Sequence, residues 1–196
     1  MAPASLRIVP ELPDALPRRS NALAKAVCRT LLAIGAWRVE GEFPPLPKQV
    51  AIVAPHTSNW DFIVGILAVF AIGIRVRFLI KHTLFWPPLG WFFTWCGGIP
   101  VNRTAPQGLV AQAVEIIERA PQIFLAITPE GTRKGKEWKS GFYRIAYEAK
   151  VPIFPVIFDG PARRIRFCPA FQPTGDYDAD LPELLKLYEG VRGIKV

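Results

Sequence analysis

The chain has 196 residues and a formal net charge of +8; 51% of its residues are hydrophobic and 12% aromatic. That length suits one domain with a sizeable core, and the charge asks for an anionic partner: nucleic acid, anionic lipid head groups or a phosphorylated substrate. Cys28, Cys96 and Cys168 are scattered and odd in number, which argues against a disulfide frame and against a zinc site. No uninterrupted apolar run reaches the roughly 18 residues that a membrane-spanning helix needs. The longest, Phe62 to Ile74, reads as a buried helix. The opening stretch carries proline and charge where a signal peptide needs a basic start and an apolar core, so the expected compartment is the cytoplasm.

Taken in chain order, residues 1–19 read as a proline-rich, irregular arm. "SNALAKAVCRTLLAIGAWRVEG" reads as a helix capped by Ser20 or Asn21. Leu23, Val27, Leu31 and Ile34 form one apolar stripe on it, with Lys25 and Arg29 on another face. Two placements fit that pattern: a helix lying in a membrane interface, or an ordinary amphipathic helix packed on the core. "FPPLPK" breaks the chain, and "QVAIVAP" is a short apolar run of the kind a buried strand makes. A helix follows His56 and runs to about Ile72. Next come a strand at "IRVRFLIK", an aromatic helix or turn at "PPLGWFFTWCGG", and "IPVNR". A helix at 106–120, a strand at "QIFLAI" and the loop "TPEGTRKGKEWKSG" lead to a helix at 142–150. Strands at "VPIFPVIFDG" and near "RIRFCPAFQ" precede a last helix near "LPELLKLYEGV". Alternating strands and helices predict an α/β fold: a single-domain mixed sheet flanked by helices, with an N-terminal amphipathic helix.

The chemistry gathers in four stretches, "PHTSNWD", "GGIPVNR", "TPEGTRKGK" and "VPIFPV", expected to follow inner strands or the turns beside them. Sites of open α/β sheets form at the carboxyl ends of strands, where separate loops converge. His56 and Asp61 are five residues apart, too far for neighbours on one helix face, but the spacing suits a strand end, a turn and the first turn of a helix. There a neutral imidazole can take a proton from a hydroxyl while a carboxylate fixes its tautomer. The plainer alternative is that His56 ends the strand and Asp61 helps to cap the helix. In the third stretch a glycine turn offers main-chain amides to an anion, and Arg133 offers a fork to phosphate.

These four stretches, in this order and at these separations, resemble the glycerolipid acyltransferase family over roughly residues 48–160. The resemblance implies His56 as the catalytic base and Asp61 as its supporting carboxylate. It implies that Arg103 binds the acceptor's phosphate, that Glu130, Gly131, Thr132 and Arg133 bind its glycerol phosphate portion, and that Pro152 lies near the acyl-donor side. The implied donor is a fatty acyl thioester on coenzyme A or acyl carrier protein, with no metal and no resident cofactor. The implied acceptor is a lysophospholipid, foremost 1-acyl-sn-glycerol 3-phosphate. On this reading residues 20–196 are the acyltransferase domain.

Thr128 stands where the family usually has phenylalanine, Lys134 where serine is common, and "IKHTLFW" lacks a glutamate often found there. Another lysolipid, or another hydroxyl or amine acceptor, therefore stays open, as does a non-catalytic lipid-binding module at a membrane surface. A nucleic-acid partner is not expected, because no zinc spacing or RNA-binding aromatic signature is present. The basic N-terminal helix and the group Phe85, Trp86, Trp91, Phe92, Phe93 and Trp95 are candidates for peripheral docking on the cytoplasmic face of a membrane.

Overall fold

The structure, a computed structural model, describes residues 9–19, 21–55, 59–102, 104, 108–130 and 138–191. Its elements are α1 (Ala22–Ile34), β1 (Arg38–Glu40), β2 (Lys48–Ala54), α2 (Asn59–Ile72), β3 (Val76–Lys81), α3 (Leu89–Cys96) and β4 (Gly98–Val101). They continue with α4 (Gly108–Arg119), β5 (Ile123–Ile127), α5 (Gly141–Glu148), β6 (Ile153–Asp159), β7 (Arg164–Phe167) and α6 (Tyr177–Lys186). One sheet takes the order β1-β7-β6-β2-β5-β3-β4. From β6 to β4 every neighbouring pair is parallel; β7 runs antiparallel to β6, and β1 is parallel to β7.

β2 is nearly continuous in apolar residues because helices cover both faces of the sheet where it lies. Its alternate side chains feed two cores. Val50, Ile52 and Ala54 join Phe142, Leu184 and Tyr188 on one side. Ala51 and Val53 join Leu32, Ala71 and Phe154 on the other. Right-handed crossovers sort the helices. The connections β2–α2–β3 and β3–α3–β4 travel toward one edge, so α2 and α3 share a face. The connections β4–α4–β5 and β5–α5–β6 travel back and place α4 and α5 on the opposite face. α1 packs on α2, with Arg29 Nε donating to the Ala71 carbonyl at 2.9 Å.

Two expectations need correction. The helix read over "SNALAKAVCRTLLAIGAWRVEG" stops at Ile34, where Gly35 caps it. Ala36 then takes left-handed backbone (φ 55°), Trp37 packs on Phe158 at 5.1 Å, and residues 38–40 pair with β7 as a strand. A three-residue strand is too short to show a period of two. α6 starts at Tyr177, earlier than expected: the Asp176 side chain caps it by accepting from Asp178 and Ala179 N–H groups, and Pro182 is tolerated inside the helix.

The structure shows that the α1 stripe is not packed on the core. Leu23 and Ile34 are each 76% exposed and Val27 and Leu31 about half, whereas Leu32 is the buried residue. The stripe faces outward. The core takes the opposite side of the helix.

A polar knot ties α5 to α6. Tyr143 OH donates to Asp180 Oδ2 at 2.6 Å, while Thr174 N–H and its hydroxyl donate to the same carboxylate at 2.8 and 3.0 Å. Burial alone raises the Asp180 pKa, but the bonds from Thr174 N–H, the Tyr143 hydroxyl and the Thr174 hydroxyl outweigh it and hold it below the ordinary value. A depressed folded pKa gives stability that is fully present above the unfolded value of about 3.9 and is lost as pH falls through the folded one. Asp180→Asn should lower stability at neutral pH by about 1–3 kcal/mol and flatten its decline below about pH 4. Urea unfolding across a pH series measures both effects, and an unchanged acid slope would contradict the assignment.

Candidate active site

β2, β5, β3 and β4 are parallel, so their carboxyl ends lie along one edge of the sheet. Pro55 follows β2, Thr128 and Pro129 follow β5, and Asn102 follows β4. Asp61 occupies the first turn of α2, which places the carboxylate at that edge, as the spacing in the sequence predicts. Asp61, Gly65, Ala68 or Val69 and Ile72 recur at helical spacing, so they share one side of α2. That side lines part of a cavity of about 570 Å³, whose lining also takes in Val110 of α4 and Phe142 and Ile145 of α5 from the other face of the sheet, within the usual range for a ligand site.

The mouth of the cavity carries Pro55, Asp61, Thr128, Pro129 and Lys139. Its walls are apolar throughout. Gly65 and Ala68 come from α2, Val76 and Phe78 from β3, and Phe43, Phe158 and Phe167 from the β6–β7 side. An apolar ligand fits such a lining, and Asp61 stands at its polar mouth.

Neighbouring bonds hold the loops around the mouth. Gln112 of α4 clamps both main-chain groups of Asn102: its Oε1 accepts from Asn102 N–H at 3.1 Å, and its Nε2 donates to the Asn102 carbonyl at 2.8 Å. Asn102 Oδ1 in turn accepts from Thr104 N–H at 3.0 Å. The segment that flanks Arg103 is thereby anchored to α4. Lys139 N–H donates to the Pro129 carbonyl at 2.9 Å, which brings the two ends of the third motif's loop together. The chain's other histidine, His82, lies near the same edge, with Nδ1 3.3 Å from the Val101 carbonyl.

His56, Arg103, Gly131, Thr132 and Arg133 lie outside the described residues. Glu130 is described: it is buried and does not line the cavity. It sits near Tyr188, whose phenol burial pushes well above its ordinary value, with Cys168 and Glu130 adding to the effect. Tyr188 OH donates to the Ile52 carbonyl of β2 at 3.1 Å, so Glu130 belongs to the root of its loop, against the core on the α5 side.

Pro152 is not brought to the mouth. It precedes β6, and its carbonyl accepts from Val50 N–H near the start of β2. With Val50 opposite Ile153 and Ala54 opposite Ile157, it lies about 20 Å of strand from Pro55. The fourth motif runs into β6 (Ile153–Asp159), as the strand read at "VPIFPVIFDG" predicts, and β6 reaches the cavity through Val156 and Phe158.

A family model described as Acyltransferase matches residues 37–159. The chain belongs to the acyltransferase family. The 1-acyl-sn-glycerol-3-phosphate acyltransferase of Streptococcus pneumoniae is 28% identical over 144 residues, 68% of this chain and 53% of that protein. The enzyme of the same name from Limnanthes alba is 27% identical over 122 residues, 58% of this chain and 42% of that protein. The chain therefore spans about half the length of the curated relatives it matches. The crystal structure of the 1-acyl-sn-glycerophosphate acyltransferase PlsC from Thermotoga maritima shares the fold, with a TM-score of 0.62 at 18% identity, covering 89% of this chain and 79% of that one. The glycerolipid acyltransferase resemblance read from four motifs is thereby borne out.

In this acyltransferase-family chain the residues that sequence reasoning missed are those of the cavity wall. Their signal was faint but present: Gly65 and Ala68 are small residues on one side of an otherwise bulky apolar helix. Lys139, inside the loop "TPEGTRKGKEWKSG", lines the cavity at its mouth. A Cβ built on Gly65 meets nothing within 4 Å. Gly65→Leu should therefore fold normally, fill part of the cavity and weaken binding of a long-chain fatty acyl ligand several-fold. Titration with a fluorescent fatty acid reads this directly; unchanged affinity would mean that the cavity is not where the chain lies.

Proposed function

We propose that this protein moves a fatty acyl group from an acyl thioester, on coenzyme A or acyl carrier protein, to a hydroxyl of a lysophospholipid. The preferred acceptor is 1-acyl-sn-glycerol 3-phosphate. One observation carries the reading: an apolar cavity sized for a ligand opens beside Asp61 in a chain of the acyltransferase family. The Streptococcus and Limnanthes relatives carry that acceptor in their names, which supports the choice.

In the proposed reaction His56 takes the proton of the acceptor hydroxyl as its oxygen attacks the thioester carbonyl. Asp61 holds the imidazole and stabilises the imidazolium. Main-chain donors meet the oxyanion that develops. Collapse breaks the carbon–sulfur bond, and the leaving thiolate recovers the proton from His56. Arg103, Gly131, Thr132 and Arg133 hold the acceptor's phosphate and glycerol, with Lys139 at the same mouth. Glu130 acts from beneath, by fixing the root of that loop. β6, which Pro152 leads into, walls the acyl chain. Coenzyme A or acyl carrier protein enters as a co-substrate.

His56→Ala should abolish thiol release from acyl-CoA in the presence of lysophosphatidate while circular dichroism stays unchanged. Asp61→Asn should cost on the order of 10⁴-fold in kcat, as loss of the orienting carboxylate does in hydroxyl-activating triads. Turnover within a few-fold of wild type in His56→Ala would rule His56 out as the base, whereas no thiol release by the wild type would leave a lipid-binding module without catalysis.

Membrane association at the cytoplasmic face belongs to the same proposal. Among the described residues no helix is long and apolar enough to cross a membrane. Exposed large apolar side chains are concentrated on one layer: apart from Leu46 and Tyr147, they fall on α1, α2, α3 or the turn leading into α3. A patch of that extent marks an interaction surface, and interfacial tryptophan fits head-group depth. Leu23→Ser with Ile34→Ser should reduce co-sedimentation with vesicles yet leave turnover of short-chain soluble substrates intact. Equal binding by the variant would place the contact elsewhere.

A further inference from the structure

Far from Asp61, at the amino ends of β3 and β4, a second pocket of about 460 Å³ is lined by Arg19, Arg75 and Arg77 together with Asn21, Thr94 and Trp95. The backbone brings the arginines together. Arg19 N–H donates to the Gly73 carbonyl and Arg75 N–H to the Pro17 carbonyl, each at 2.8 Å. The Arg19 guanidinium lies over the Phe70 ring at 4.3 Å and 5.4 Å from the centroid of Trp95, and it donates to the Trp95 carbonyl. Among the described residues no carboxylate forms an ion pair with any of the three. Burial, followed by the repulsion of Arg75, lowers the Arg19 pKa. Lys25 adds to the cluster, with Nζ 3.4 Å from the position a Cβ on Gly73 would take.

The carbonyl ends of α2 and α3 meet part of this charge, and guanidinium groups that no carboxylate among the described residues engages present planar forks that match phosphate oxygens. The surroundings indicate the kind of phosphate. Trp95 is exposed at the rim, and Trp91, one helical turn earlier and 73% exposed, continues the same face of α3. Leu23 of α1 stands outward two residues beyond Asn21. Arginine behind exposed tryptophan and aliphatic side chains is an arrangement suited to the head-group layer of a bilayer. Phe70 and Asp61 are nine residues apart on α2, about 13 Å along the helix, so this pocket is separate from the acyl-transfer mouth.

We propose that Arg19, Arg75 and Arg77 form a second anion site, which takes the phosphate of an anionic phospholipid in the membrane surface. The inference rests on the membrane association proposed above and not on acyl transfer.

The test measures binding to phosphatidylcholine vesicles with and without phosphatidate, for wild type, Arg75→Gln with Arg77→Gln, and a control, Arg119→Gln with Arg144→Gln. The control removes the same charge from exposed positions on α4 and α5. Wild type should bind the phosphatidate vesicles more tightly, the Arg75 and Arg77 variant should lose about tenfold of that affinity, and the control about twofold or less. Similar losses in both double variants would reduce the site to diffuse attraction and overturn the proposal. Saturable binding of inorganic phosphate that the variant abolishes, with vesicle affinity unchanged, would assign the pocket to free phosphate and overturn the head-group assignment. The binding readout needs no turnover, so it stands apart from the fate of the His56 experiment.

Discussion

The side of α2 that meets the sheet is too small to fill the space beneath it, and most of the architecture answers to that. A helix laid over a sheet usually closes the gap with bulky side chains; here Gly65 and Ala68 stand where those would reach. The opening they leave forfeits dispersion contacts, so its surroundings must hold their shape without a filler. Packed phenylalanines do this beside β6 and β7: Phe43 lies 5.8 Å from Phe154 and 4.4 Å from Phe167. Such interlocked rings resist the collapse that would otherwise recover the lost contacts.

α2 also divides the molecule's charge chemistry between its two ends. Its first turn holds Asp61 where the helix dipole favours a carboxylate; its last carbonyls meet Arg29 and the cationic group around Gly73, where the dipole favours cations. One rigid element therefore fixes both the mouth of the cavity and the arginine pocket. α1 is bound to its outer side by Leu32 and Arg29, which turns Leu23, Val27, Leu31 and Ile34 outward.

The strands of the central sheet were legible because a strand covered on both faces must be a continuous apolar run, as in "QVAIVAP" and "QIFLAI". The start of α2 and the position of Asp61 followed from spacing. Other features depend on tertiary partners that a local pattern does not name. β1 is a strand only because β7 lies beside it. The α1 stripe has the period of a core-facing helix, and only the packing of Leu32 and Arg29 on α2 reveals that it points outward. That Pro152 lies at the end of the sheet away from Pro55 follows from the parallel register of β2 and β6, which its motif does not state. The arginine pocket joins residues from the arm, from β3 and from α3, and "IRVRF" by itself looked like ordinary strand sequence.

The β1–β7 pairing sets an order of assembly. Arg38 and its partner Arg164 are 126 positions apart, so as the chain emerges from the ribosome β1 has no partner until β2 to β6 have been made. Pairings of that separation are slow to close, and domains fold as synthesis proceeds from the amino terminus. During that interval α1 is held by α2 alone, with its aliphatic stripe bare. The apolar face of α1 thus meets its surroundings before the sheet is complete, and the last strand pairing closes a molecule whose outward helix is already in place.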